Sequence, residues 1–71
     1  MNNKPLVMIK ILRKHKGLTQ SELAYKSKVT LLTIQKLENG WTDPYESKYS
    51  TLMRIASALN ITVEDLFKES I

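Results

Sequence analysis

Three short stretches of this chain repeat one pattern, and that pattern leaves little choice of fold. "LTQSEL", "VTLLTI" and "ITVEDL" each set a threonine just after one apolar residue and four residues before another. A threonine hydroxyl accepts a backbone N–H from the first turn of a helix, and the flanking apolar pair fixes the angle at which the chain enters it. Thr19 is therefore a helix cap stapled by Leu18 and Leu23, Thr30 one stapled by Val29 and Ile34, and Thr62 one stapled by Ile61 and Leu66. Glu22 and Asp65, three residues past their threonines, complete capping boxes; the middle copy has no acidic partner. No stretch alternates apolar and polar residues as a strand would, so the prediction is all-α.

The stops are as legible as the starts. Gly17 and Gly40 stand where a helix ends in a left-handed residue. The first helix is predicted over about 5–16, with Pro5 at its first position and Lys14, His15 and Lys16 in its last turn, where positive charge suits the helix dipole. The second is predicted over 20–27, the third over 31–39 and the fifth over 63–69. A fourth, over 51–59, would be capped by Ser50 and would turn Leu52, Ile55, Ala56 and Leu59 to one side. Residues 41–49, "WTDPYESKY", read as a loop. With 71 residues, 42% of them apolar, the chain is expected to form one domain over 1–71 with a small core.

Composition removes several function classes. One histidine, two glycines and no cysteine leave no nucleophile–base pair, metal cluster or phosphate-cradling loop. The expectation is a non-enzyme with no cofactor, no metal and no small-molecule ligand. No apolar run approaches the ~20 residues that span a bilayer, and the apolar residues of "LVMIKILRKHK" are needed for the core, so no membrane role and a cytoplasmic location are expected. Net charge is +4. It is unevenly spread: residues 1–54 hold ten Lys/Arg against four acids, and residues 55–71 one against three. A basic body suits a polyanionic partner.

Only "SKV" separates the second helix from the third, and so short a connection makes them cross sharply, as in a helix-turn-helix. With Ile34 at the centre of the third helix's buried side, Leu37 stays with it, Thr33 lies at the flank, and Leu32, Gln35, Lys36 and Asn39 face outward. A short helix with a polar outer face suits the major groove of DNA. The same projection leaves Glu38 about 40° from the core centre, and Arg13 sits as awkwardly on the first helix. Each charge is costly to bury alone, so the two are expected to pair.

The ordered set "ILRKHKGLTQSELA", "VT", "TIQKLENG" and "LMRIASALNITVEDLF" resembles the Cro and phage-repressor type (Xre-like) helix-turn-helix regulators over residues 7–67. The resemblance implies a compact five-helix lambda-repressor-like domain whose second and third helices form the helix-turn-helix. It implies base contacts from Thr30, Leu31, Leu32, Thr33 and Lys36, backbone contacts from Gln20, Gln35, Asn39 and Trp41, and Arg13–Glu38 as the family's usual ion pair. The function that follows is a sequence-specific transcriptional regulator, bound to double-stranded DNA as a homodimer on a pseudopalindromic operator. Val63, Phe67 and Ile71 are the expected dimer surface. The alternative is an antitoxin-like or other protein-interaction module on the same fold.

Three departures from the family pattern carry expectations of their own. Leu31 and Leu32 offer no hydrogen bonds, so they reach thymine methyl groups or remain ordinary surface and packing leucines. Lys28 stands where the family commonly has glycine, and a left-handed lysine costs about 1 kcal/mol, so a slightly altered turn is expected. The loop after Gly40 is longer than usual; Trp41, Tyr45 and Tyr49 are expected to pack it onto the domain, the alternative being that they stack on sugar–phosphate or form a partner surface, with Trp41 nearest the DNA backbone.

Overall fold

The computed structural model describes residues 3–69. Five α-helices follow one another: α1 (Val7–His15), α2 (Gln20–Ser27), α3 (Leu31–Asn39), α4 (Tyr49–Ala58) and α5 (Val63–Leu66), with a 3-10 turn at Pro44–Glu46 between α3 and α4. No strand occurs among the described residues. The fold is all-helical, with α2 packed on both α3 and α4, α4 on α5, and α1 against α5 and α3.

The stapled starts explain how so small a chain closes a core. In each staple the inner residue (Leu23, Ile34 or Leu66) is completely buried, and its outer partner (Leu18, Val29 or Ile61) packs against the cluster from the rim. Ile9 of α1, Leu37 of α3, and Ile55 and Leu59 at the end of α4 fill the space between them. Each helix therefore sends at least one wholly apolar side chain to the same centre. Full burial of such a side chain contributes about 1.5–3 kcal/mol.

The caps are formed as hydrogen bonds. Glu22 N–H donates to Thr19 Oγ1 at 3.0 Å, and Thr19 N–H donates back to Glu22 Oε1 at 2.8 Å. Thr62 and Asp65 make the same exchange at 3.2 Å both ways. In α3 the place of the acid is taken by Thr33, whose hydroxyl lies 2.8 Å from that of Thr30. Asp65 also meets Lys68 at 2.8 Å. The Lys68 ammonium, followed by the Thr62 backbone and hydroxyl, holds the Asp65 carboxyl below its ordinary range.

Several boundaries differ from the sequence expectation. α1 starts at Val7, and Pro5 lies outside it, because residues 3–6 run instead as a strap across the end of α3. Asn3 N–H donates to Gly40 O at 2.8 Å and Leu6 N–H to Leu37 O at 3.0 Å, which satisfies carbonyls that α3 leaves open. α4 starts at Tyr49 rather than residue 51. Lys48 is its cap residue, without a side-chain bond, and Ser50 belongs to the first turn. α5 ends at Leu66 instead of 69, since the next two N–H groups reach back only three residues, to Glu64 and Asp65.

The turn before α3 is a further correction. Lys28 takes φ 61° and ψ 38°, the left-handed geometry that suits glycine, so the turn keeps its form despite the lysine. The Lys28 N–H closes on Ala24 and Tyr25 carbonyls, and Val29 then packs its staple side chain against the rim of the core, which holds the residue there. Asn60 does the same after α4 at φ 60°, a stop that carries no glycine.

Candidate nucleic-acid interface

Arg13 on α1 and Glu38 on α3 meet inside the molecule. Arg13 Nε donates to Glu38 Oε2 at 2.7 Å and Nη2 to Oε1 at 3.0 Å, while Nη1 donates to Leu18 O at 2.8 Å. Both side chains are buried. The two-point grip fixes the rotation of α3 about its axis and also ties it to the Leu18 carbonyl just ahead of α2. Gln20, expected at the DNA backbone, adds a fourth contact: its Nε2 donates to Glu38 Oε1 at 3.1 Å. An amide nitrogen has two N–H groups, so one stays available to a phosphate while the other holds Glu38.

With α3 held this way, its outward side is set. Thr30, Lys36 and Asn39 are exposed, and Thr33 and Gln35 are half-buried. Leu31 is 38% exposed and Leu32 52%. Both leucines thus stand at the surface, and Leu31 is less a packing residue than its place on the helix suggested. Gly40 at φ 71° ends the helix, and Trp41 N–H turns back to Lys36 O at 2.9 Å, leaving the indole exposed beside the helix end.

A helix of nine residues, braced by a buried ion pair and approached by a second helix across a three-residue turn, is the geometry of a helix-turn-helix. Residues 9–66 match the family model described as helix-turn-helix, of the Cro/C1 type. The chain belongs to the Xre-like helix-turn-helix family. No curated protein matches it. As a helix-turn-helix domain it is DNA-binding, with α3 in the place of the reading helix and α2 crossing behind it.

Around this helix-turn-helix the structure adds residues that the sequence did not single out. A shallow notch of about 190 Å³ opens beside α3, between Thr33 and Lys36 on one wall and Thr42, Ser47, Lys48 and Thr51 on the other. Leu37 also lines it, and its polar side chains are the Thr and Ser residues and the two lysines, the chemistry that phosphate oxygens accept from. These residues were lost in a polar loop because their closeness to Lys36 depends on how residues 41–48 fold back, which no local pattern encodes.

The loop itself is held differently from the expectation. Pro44 is its buried anchor, and Asp43 Oδ1 accepts from Tyr45 N–H at 3.0 Å to shape the 3-10 turn. Trp41, Tyr45 and Tyr49 stay largely exposed, and of the three only Tyr45 meets another ring of the domain, that of Phe67. Of the expected dimer residues, Val63 and Phe67 are half-buried against the core, and Ile71 lies outside the described residues. His15 and the lysines at positions 10, 14 and 16 are exposed. No cluster of metal-ligating side chains and no helix long and apolar enough to cross a membrane occurs among the described residues.

Proposed function

We propose that this chain is a sequence-specific transcriptional regulator that acts as a homodimer on a pseudopalindromic operator in the cytoplasm, without catalysis, cofactor or small-molecule ligand. The observation that carries the reading is the outward face of α3, presented at a fixed rotation by the Arg13–Glu38 pair. Lys36 donates to a purine edge in the major groove, and Thr30 and Thr33 supply hydroxyls near the start of the helix. Leu31 and Leu32 meet thymine methyl groups, which biases the preferred site toward A·T pairs at their positions. Gln20, Gln35, Asn39 and Trp41 contact the sugar–phosphate backbone, joined by the hydroxyls and Lys48 of the notch. One module of this size reads few base pairs, and two modules on adjacent half-sites supply the specificity that one lacks.

The test is selection of bound duplexes from a random pool, with the winner titrated at two salt concentrations. The reading predicts a two-fold symmetric site and affinity that falls steeply with salt as counterions compete. No enrichment, with weak binding at low salt, contradicts it and favours the second reading, an antitoxin-like protein-interaction module. The exposed leucines of α3 and the exposed aromatic residues of the loop favour that alternative.

A further inference from the structure

Tyr45 and Phe67 form a ridge. Their ring centroids lie 4.7 Å apart at an interplanar angle of 31°, and Tyr45 remains 79% exposed. A groove runs along each side of the ridge. One, of about 270 Å³, lies between it and the strap at Pro5, Leu6 and Val7; the other, of about 360 Å³, lies between it and Tyr49, Leu52 and Val63. Beyond Tyr49, at 60% exposure, the apolar surface continues to Met53 at 51%, which shares a hollow with Tyr49 and Val63. Neither tyrosine belongs to the core: Pro44 is the buried residue of the loop's 3-10 turn, and of the two ridge rings Phe67 alone packs against the core cluster.

We propose that this ridge and its grooves are the surface on which a second copy of the chain docks, about a two-fold axis. The proposal rests on the homodimer reading above and moves its centre from α5 to the loop and the outer face of α4. Three observations select a second copy over another protein. The first is shape: a ridge flanked by grooves is complementary to itself, since the Tyr45 ring of each copy can enter a groove of the other, as an isologous contact requires. The second is area. At ~150–250 Å² per aromatic side chain, the exposed parts of Tyr45 and Tyr49 with Met53 amount to roughly 400 Å². A standard interface buries about 800 Å² per partner, a little over half of it apolar, so the patch supplies nearly the whole apolar share of one side. The third is charge. Of the charged residues that line the two grooves, Lys4 is paired with Glu69 and Lys68 with Asp65, and among the described residues only Glu64 makes no ion pair. A strongly basic or acidic partner therefore meets no matching field there, whereas a second copy brings a surface as nearly balanced as this one. Ser47 lines both the second groove and the notch beside α3, so docking here brings two reading helices to the edge of one interface.

Sedimentation equilibrium of the full chain without DNA, from low micromolar to submillimolar concentration, tests this. The expected result is a dimer whose dissociation constant rises by about tenfold or more in Tyr45→Glu and in Tyr49→Glu. Tyr25→Glu, at an exposed ring of α2 that lines neither groove, should leave it unchanged. Circular dichroism melting of each variant checks that it folds. A wild-type chain that stays monomeric, which leaves the ridge to a different protein, overturns the proposal, as does a dimer indifferent to both glutamates. Duplex selection reports DNA reading separately. A monomer that still enriches a site loses this interface and keeps the regulator reading; a dimer broken by Tyr45→Glu that enriches no site supports the interface and loses that reading.

Discussion

Arg13 and Glu38 are each less than a tenth exposed, so each is tolerable only because the other is there. Arg13→Ala strands a buried carboxylate and should destabilise the fold by about 3–5 kcal/mol, read as a fall in melting temperature with DNA affinity lost as a consequence. Unchanged melting with lost binding would mean that Arg13 serves DNA directly. Lys36→Ala tests the opposite kind of residue. Its side chain is exposed and holds nothing together, so melting should not change, while affinity for the preferred site drops by about 1–3 kcal/mol and preference relaxes at one position. Lys28→Gly relieves a left-handed side chain at φ 61° and should raise stability by about 0.5–1 kcal/mol in denaturant titration. The sequence marked Arg13 and Glu38 because helical rotation leaves each of them near the core, a property of one helix at a time. The fourth partner, Gln20, was not legible, since its reach to Glu38 depends on how α2 and α3 cross.

At the scale of elements, the starts of α2, α3 and α5 were written in the sequence because capping and stapling are local, complete within six residues. The start of α4 was not. No capping side chain marks it, and its position follows from where the 3-10 turn at Pro44–Glu46 releases the chain. The strap at residues 3–6 was also invisible, because its bonds join positions more than thirty residues apart along the chain. Gly40 ties these elements together. A Cβ there would stand 2.1 Å from the Asn3 carbonyl oxygen and 3.2 Å from its carbon, both backbone atoms, on top of the strain of a left-handed φ. Gly40→Ala should therefore displace the strap and cost about 1–3 kcal/mol, with the Asn3 and Leu6 amides losing protection in hydrogen exchange before those of α1.

For the whole molecule, the uneven charge of the sequence becomes a division of surfaces. Lys36 and Lys48 stand at the notch beside α3, and the aromatic ridge carries a rim of mixed sign. The all-α class and the helix-turn-helix were legible from spacing alone; the notch and the ridge were not, because both arise where a long loop folds back on distant residues. If the notch holds a phosphate, Lys48→Ala should weaken binding to all sequences alike and reduce the slope of log affinity against log salt by about one. An unchanged slope places Lys48 away from the backbone. The central claim is that the outward face of α3 reads DNA. Titration of the labelled chain with its selected duplex, followed by amide chemical shifts, tests it most directly. The prediction is that the largest changes fall on Thr30–Lys36, Gln20 and Trp41, with the Ile9, Leu23 and Ile55 amides little moved. Changes concentrated at Tyr45–Met53 and α5, with α3 undisturbed, would contradict it.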